Sequence, residues 1–364
     1  MGLIHATSLE RWQEWRRVRH PGRRLARALG SLRGAGDRAS DDGLRLHSRE
    51  GEGPGRVLIV VDPDGPASCG DLLAPLPYLH GAVDVLTVAG ADHPALEAAG
   101  WDRTDVDAPG RTLHGRGLTA VLSAGQHGEV AAMAHRWARQ VQVPSYVLQS
   151  GSLTPYTAPL PPETTVLAWS RADGEFWRSG REDLVVRAIG SQRLWQAHHE
   201  GRPERAGPRE DADPADDDRP DDRPDERVVF LGHLSDEALS RRLSVRAATT
   251  FCRRHGGRYR PGPDDTDPGS RLAHQLLRRR GVEFVAPDGM RTAPVAAVRS
   301  VEVLEAASRG IPAWVHAPDP PTWLREYWER YGMRRYGGPE ATPAPALPEA
   351  EPAAALAEIL ESDG

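Results

Sequence analysis

The chain alternates short, uninterrupted apolar runs with longer segments of helical spacing. Val57-Leu-Ile-Val-Val61 is the clearest run, and Asp62-Pro-Asp-Gly-Pro66 closes it. A run without polar interruption fits a strand covered on both faces, as in parallel sheets. The segments 83–88, 118–122, 144–148, 165–169 and 184–189 repeat it, and helical spacing fills 69–80, 93–99, 129–140 and 172–179 between them. Strand and helix in turn predict a doubly wound α/β domain over residues 51–200. The pattern restarts at Arg227. Strands over 228–231, 257–260, 282–285, 295–298 and 311–315 alternate with helices over 236–254, 270–280, 301–309 and 321–334. That predicts a second domain of the same kind over 227–337. A Pro/Ala-rich tail and a helix over 353–361 follow. Two such domains place ligands at the carboxyl ends of their strands, facing a cleft.

Two stretches break the pattern. Residues 1–50 read as a basic helical extension and linker. Trp12, Trp15, Val18, Leu25 and Leu29 are interspersed with Arg11, Arg16, Arg17, Arg19, Arg23, Arg24 and Arg27, and Pro21 divides them into two short helices. One reading is a peripheral contact with anionic lipid or RNA. The other is a helix that packs its Trp face on the body and leaves its arginines in solvent. Residues 37–54, rich in Gly and charge, read as a flexible linker. Residues 201–226 are acidic and Pro-rich, with Asp216-Asp-Asp218 and Asp221-Asp222, and are expected to hold no fixed conformation. Their spacing carries no calcium-loop signature.

Composition narrows the chemistry. With 364 residues, 39% of them hydrophobic, two ordinary domains can each bury a core. The net charge of −6 gives no general attraction to nucleic acid, which is not an expected partner. There is no lysine and no asparagine. A Walker-A phosphate loop and Schiff-base chemistry both need a lysine and are excluded. Cys69 and Cys252 stand alone, which fits a reduced, cytoplasmic setting better than a disulfide scaffold or zinc ribbon. No apolar run approaches the ~20 residues of a membrane span. No metal site and no cofactor are expected.

The segment from Ser300 to Trp314 reads as a helix, a Gly310 stop and a short strand. Its Glu305-Ala306 followed by Gly310-x-Pro312 resembles the nucleotide-sugar site of two-domain glycosyltransferases of the GT-B fold. Other segments in the same order resemble actinobacterial GT-B-like proteins related to transferases that build teichoic-acid or capsule-type cell-surface polymers. These are Ala134-His-Arg-Trp137, Leu148-Gln-Ser-Gly-Ser-Leu-Thr-Pro155, Leu167-Ala-Trp-Ser170, Val228-Val-Phe-Leu-Gly232, Arg258-Tyr-Arg-Pro-Gly-Pro263 and Tyr327-Trp-Glu-Arg-Tyr-Gly332. The resemblance spans about residues 56–337. It implies a nucleotide-activated donor held by the second domain. Arg260 and Ser300 would meet its phosphates, Glu305 its ribose, and His233 would also contact it. Relatives carry His after Gln149, where this chain has Ser150 beside Gly151, and Arg-Pro-His-Pro where it has Arg260-Pro261-Gly262-Pro263. Both imidazoles are missing.

Three groups past predicted strands are candidates for the base that takes a proton from an acceptor hydroxyl: His127 in Gly125-Gln-His-Gly128, Asp62 and Asp64. Each has a plainer reading, His127 as an idle loop residue and the aspartates as helix caps. His135, mid-helix, reads as packing. The expected activity is metal-independent transfer of a glycosyl or glycerophosphate group from a nucleotide donor to a surface-polymer or lipid-linked acceptor, at the inner membrane face. The alternatives are a catalytically degenerate binding or assembly protein of the same fold, and an RNA-binding protein that uses the arginine-rich extension.

Overall fold

Residues 57–61 send alternate side chains to two covered faces. Val57, Ile59 and Val61 cluster with Val83, Val85 and Leu122 on one face. Leu58 and Val60 cluster with Leu86, Val121, Ala131 and Ala134 on the other. The uninterrupted apolar run is therefore a strand buried on both sides, as its composition demands. The computed structural model describes residues 2–19, 43–53, 55–62, 66–88, 93–107, 109–201, 227–286 and 292–362.

The chain divides into two units. Unit 1 is Met1–Gln192 together with Pro348–Gly364, and unit 2 is Arg193–Leu347. Unit 1 contains α1 (Leu9–Arg19), β1 (Leu44–Arg49), β2 (Arg56–Val60), α2 (Pro66–Leu73), β3 (Ala82–Val88), α3 (Pro94–Glu97), β4 (Asp102–Val106), α4 (Pro109–His114), β5 (Leu118–Ser123), α5 (Glu129–Val141), β6 (Ser145–Leu148), β7 (Thr165–Ala168), α6 (Arg171–Arg178) and β8 (Val185–Ala188). The sheet order is β4-β1-β3-β2-β5-β6-β7-β8. From β3 to β8 neighbours are parallel, and only β1 runs antiparallel, to both β3 and β4.

Unit 2 follows with α7 (Gln192–Glu200), β9 (Val229–Leu231), α8 (Arg241–His255), β10 (Arg258–Arg260), α9 (Pro268–Arg279), β11 (Val295–Ala297), α10 (Glu302–Ser308), β12 (Ala313–Val315) and α11 (Thr322–Arg330). Its strands lie in the order β10-β9-β11-β12, all parallel. The chain then returns to unit 1 with α12 (Pro352–Ser362), whose Leu356 and Leu360 join the Val57–Ile59 cluster. Both units are thus doubly wound, Rossmann-like α/β layers.

Several expectations change. The linker expected over 37–54 contains β1, a strand between two others. Leu44 and Leu46 alternate with Arg45 and His47, and Leu46 is buried. The arginines are satisfied where they lie. Arg45 pairs with Asp105 at 2.9 Å, and Arg49 donates to the carbonyls of Leu76 and Leu79. The strand expected over 282–285 is reduced to one parallel bridge, Tyr259 to Phe284, beyond β10. Helix α8 begins at Arg241, five residues later than expected, because the Ser240 hydroxyl caps it by accepting from Leu243 N–H. The helix α7 and the polar strand β4 were not anticipated. Residues 202–226, and the segment around Pro21, lie outside the described residues.

Candidate functional site

In each sheet the winding reverses once, and the crevice at that reversal is where open α/β sheets hold ligands. In unit 1 the chain goes from β2 outward to β3, then returns to the other side of β2 as β5. The switch point is therefore the pair of loops after β2 and β5. Asp62 follows β2, and Gly125–Gly128 follows β5. The structure brings them together. A Cβ on Gly128 would meet the Asp62 carboxylate oxygens at 2.3 and 2.4 Å. Gly128 is the N-cap of α5, so a carboxylate lies against the start of a 13-residue helix, where orphan N–H groups favour negative charge. Asp64 lies outside the described residues.

His127 lies beside Gly125 and Trp12. Its Nδ1 would lie 3.0 Å from a Cβ on Gly125, and Gly125 adopts φ +146, which favours glycine. Its ring also lies 6.2 Å from the indole of Trp12. Below the loop, His135 and Ser123 are both buried. The Ser123 Oγ is 2.7 Å from His135 Nε2 and 2.9 Å from the Gly125 carbonyl, and it accepts from Gly125 N–H at 3.2 Å. Burial lowers the His135 pKa to about 4, so the ring is neutral at pH 7. The arrangement closes if His135 Nε2–H donates to Ser123 and Ser123 donates to Gly125. His135, expected as packing alone, positions the turn that carries His127.

The extension covers this loop. Trp12 is buried and donates its indole N–H to the Tyr156 carbonyl at 2.8 Å. Trp15 stacks on Tyr156 with centroids 4.9 Å apart. Arg11 and Arg17 remain exposed. The described part of the extension therefore takes the packing alternative. Ser150 and Gly151 lie one strand away, past β6, and are organised by a residue the sequence did not flag. Gln149 is buried. It donates to the Gly151 carbonyl and Asp173, and it accepts from Trp169 at both its side-chain and main-chain oxygens.

In unit 2 the reversal falls between β9 and β11. Gly232-His233 follows β9, and Arg299-Ser300 follows β11. His233 Nε2 lies 2.9 Å from Ser300 Oγ, which also accepts from Glu302 N–H at 3.1 Å. Glu302 forms an ion pair with Arg260, at the end of β10, and its Oε1 is 3.9 Å from His233 Nε2. Two expected residues, Arg260 and His233, thus face the carboxylate of an unexpected one, Glu302, while the third, Ser300, holds that residue's N–H. Burial lowers the His233 pKa, against the opposing pull of Glu302 and Asp236. Beneath them Asp236 and Arg299 pair at 2.7 Å. Burial pushes the Asp236 carboxyl up, but the Arg299 guanidinium and the Ala238 N–H outweigh it and hold it below the usual range.

Glu305 does not join them. It is buried and pairs at 2.5 Å with Arg193 of α7, a helix absent from the sequence reading. Burial raises its pKa, and Arg193 opposes the rise. Gly262 also has a structural reason. A Cβ there would stand 2.5 Å from the Gly232 carbonyl and 3.1 Å from Asp265 Oδ2. The loop as folded has no space for a side chain at this position. A cavity of about 10 Å³ lies beside the site, lined by Gly232, His233, Ser244, Tyr259, Val298 and Arg299. That is room for about one water molecule.

No protein-family model matches the chain, and no curated protein matches it in sequence. Among solved structures it is similar to an O-GlcNAc transferase mutant from Thermobaculum terrenum. The identity is 14% and the TM-score 0.38, over 71% of this chain and 47% of that one. The chain thus spans about half the length of that protein. Among the described residues no helix is long and apolar enough to cross a membrane, and no group of three or more His, Cys, Asp or Glu could hold a metal ion.

Proposed function

We propose that the protein is a transferase that moves a glycosyl or glycerophosphate group from a nucleotide-activated donor to an acceptor hydroxyl. The observation that carries this reading is the meeting of Arg260, His233 and Ser300 at the switch point of unit 2. A guanidinium, an imidazole and a hydroxyl at the carboxyl ends of parallel strands form an oxyanion-binding set. In this reading they hold the donor phosphates. For a glycosyl donor, the acceptor oxygen forms the new bond to the anomeric carbon as that carbon's bond to the terminal phosphate oxygen breaks. The nucleoside diphosphate leaves with the electron pair. The acceptor's proton passes to a general base, for which Asp62 and His127 are the proposed candidates. A surface-polymer or lipid-linked acceptor, and work at the inner membrane face, remain part of the proposal through the family resemblance alone.

The test is calorimetric titration with UDP, CDP and GDP. Binding of one of them, weakened by Arg260→Ala in a protein of unchanged melting temperature, supports the reading. Absence of binding by all three overturns it. A second reading, a non-catalytic relative that keeps the fold, is favoured by the missing side-chain space at Gly262. A protein that binds nucleotide while transferring nothing to any acceptor fits that second reading.

A further inference from the structure

Arg260 is the strongest anion-binding group at the unit 2 switch point, and it is already occupied. Its guanidinium is paired with the Glu302 carboxylate. The same carboxylate lies 3.9 Å from His233 Nε2, and the residue's own N–H is held by Ser300 Oγ. The groups that would grip a phosphate therefore close on a side chain of the protein instead. A carboxylate offers a guanidinium the same planar pair of oxygens that a phosphate does, so the two ligands compete for one geometry. The charges also cancel, +1 on Arg260 against −1 on Glu302, with His233 kept neutral by burial. A nucleoside diphosphate brings further negative charge into a site that offers it no net attraction while Glu302 stays in place.

Burial does not lock Glu302 in place. Both partners are about a quarter exposed, with side-chain exposures of 23% and 28%. Glu302 is the first residue of α10, so its side chain can rotate into water without disturbing a helix interior. The Asp236–Arg299 pair beneath it does not include Glu302.

We infer that Glu302 is a built-in competitor that occupies the donor-phosphate position and sets the affinity and selectivity of the site. The inference rests on the donor reading above. In this role Glu302 is a specificity-determining residue, for it raises the cost of every anionic ligand, and only one with enough additional contacts displaces it. Free phosphate and pyrophosphate should be rejected more strongly than a full nucleoside diphosphate.

The experiment titrates wild type, Glu302→Gln and Glu302→Ala with UDP, CDP, GDP and pyrophosphate. Glu302→Gln keeps the shape and removes the charge, and Glu302→Ala provides a second variant if the first misfolds. Affinity for the preferred nucleotide should rise roughly tenfold in both variants, and pyrophosphate binding should become measurable. Adding Arg260→Ala to Glu302→Gln should return affinity to the wild-type level or below. A gain of affinity is the deciding readout, because loss of a merely structural ion pair does not produce one. Equal nucleotide affinity in wild type and variants overturns the inference and leaves the donor reading intact. Weaker binding in the variants also overturns it, for Glu302 would then be a ligand contact. No binding by wild type or any folded variant overturns the donor reading, and the inference with it.

Discussion

The two switch points are built alike and closed differently. In unit 1 the loop after β2 lays the Asp62 carboxylate against Gly128, the residue after His127, and an aromatic helix from the extension lies beside the His127 imidazole through Trp12. In unit 2 the loops after β9 and β11 bring an imidazole and a hydroxyl together, and the neighbouring cation is neutralised by Glu302. One site is closed by hydrocarbon, the other by charge. The difference is chemical. A hydrocarbon cover is removed only by moving a packed element, whereas an ionic one yields to a better anion.

The contrast sets the expected size of each perturbation. If proton transfer belongs to unit 1, Asp62→Ala or His127→Ala should lower turnover about 10²–10⁴-fold while nucleotide affinity stays unchanged. Steady-state kinetics alongside calorimetry checks this, and a joint loss of both would break the division of labour. Removing the cover itself should be nearly as costly. Trp12→Ala deletes a buried indole and its bond to Tyr156, and should cost about 3 kcal/mol in urea unfolding. Nucleotide affinity at unit 2 should not follow it.

Acid should affect the first site through His135. Its folded pKa, about 4, lies below its ordinary 6.5. The unfolded chain therefore binds more protons between those values, and stability rises with pH across that window. Lowering the pH from about 7 to about 4.5 should cost roughly 2–3 kcal/mol from this ring. His135→Gln should flatten that part of the profile, and an unchanged profile would sink the assignment. The smallest effect is expected at the ionic site. Arg260→Ala should weaken nucleotide binding by about 1.5–3 kcal/mol, the usual worth of a hydrogen bond to a charged group.

How far these sites were legible in the sequence depends on what each residue's partner is. Asp62, His127, His233 and Ser300 were visible because they end apolar strands, and strand ends are fixed by the hydrophobic pattern. Glu302 was not, although it stands between Ser300 and Glu305. A glutamate at the start of a helix looks solvated until the end of another strand delivers Arg260 to it. Glu305 was read in isolation because its partner, Arg193, sits on a helix whose polar face hid it. The fold shows the same rule. Residues 57–61 announce themselves by composition alone. The alternation of Leu44 and Leu46 with Arg45 and His47 marks a strand equally well, but glycines and charges on both sides conceal it. In the sequence Gly262 reads only as a missing histidine, since the Gly232 carbonyl that would crowd a Cβ there is visible only in three dimensions.

The return of α12 to unit 1 has a consequence for the order in which the protein is made. Leu356 and Leu360 cover the face that Val57, Ile59 and Ile189 present, and Glu361 accepts from the N–H groups of His80 and Gly81. The larger segment of unit 1 is made before unit 2, yet one wall of its core is still missing while all of unit 2 is being synthesised. Unit 2 is contiguous and can finish folding first. During that interval the nascent chain carries an open apolar sheet face, the kind of surface chaperones bind. The unit that is interrupted is thus the unit that completes its folding last.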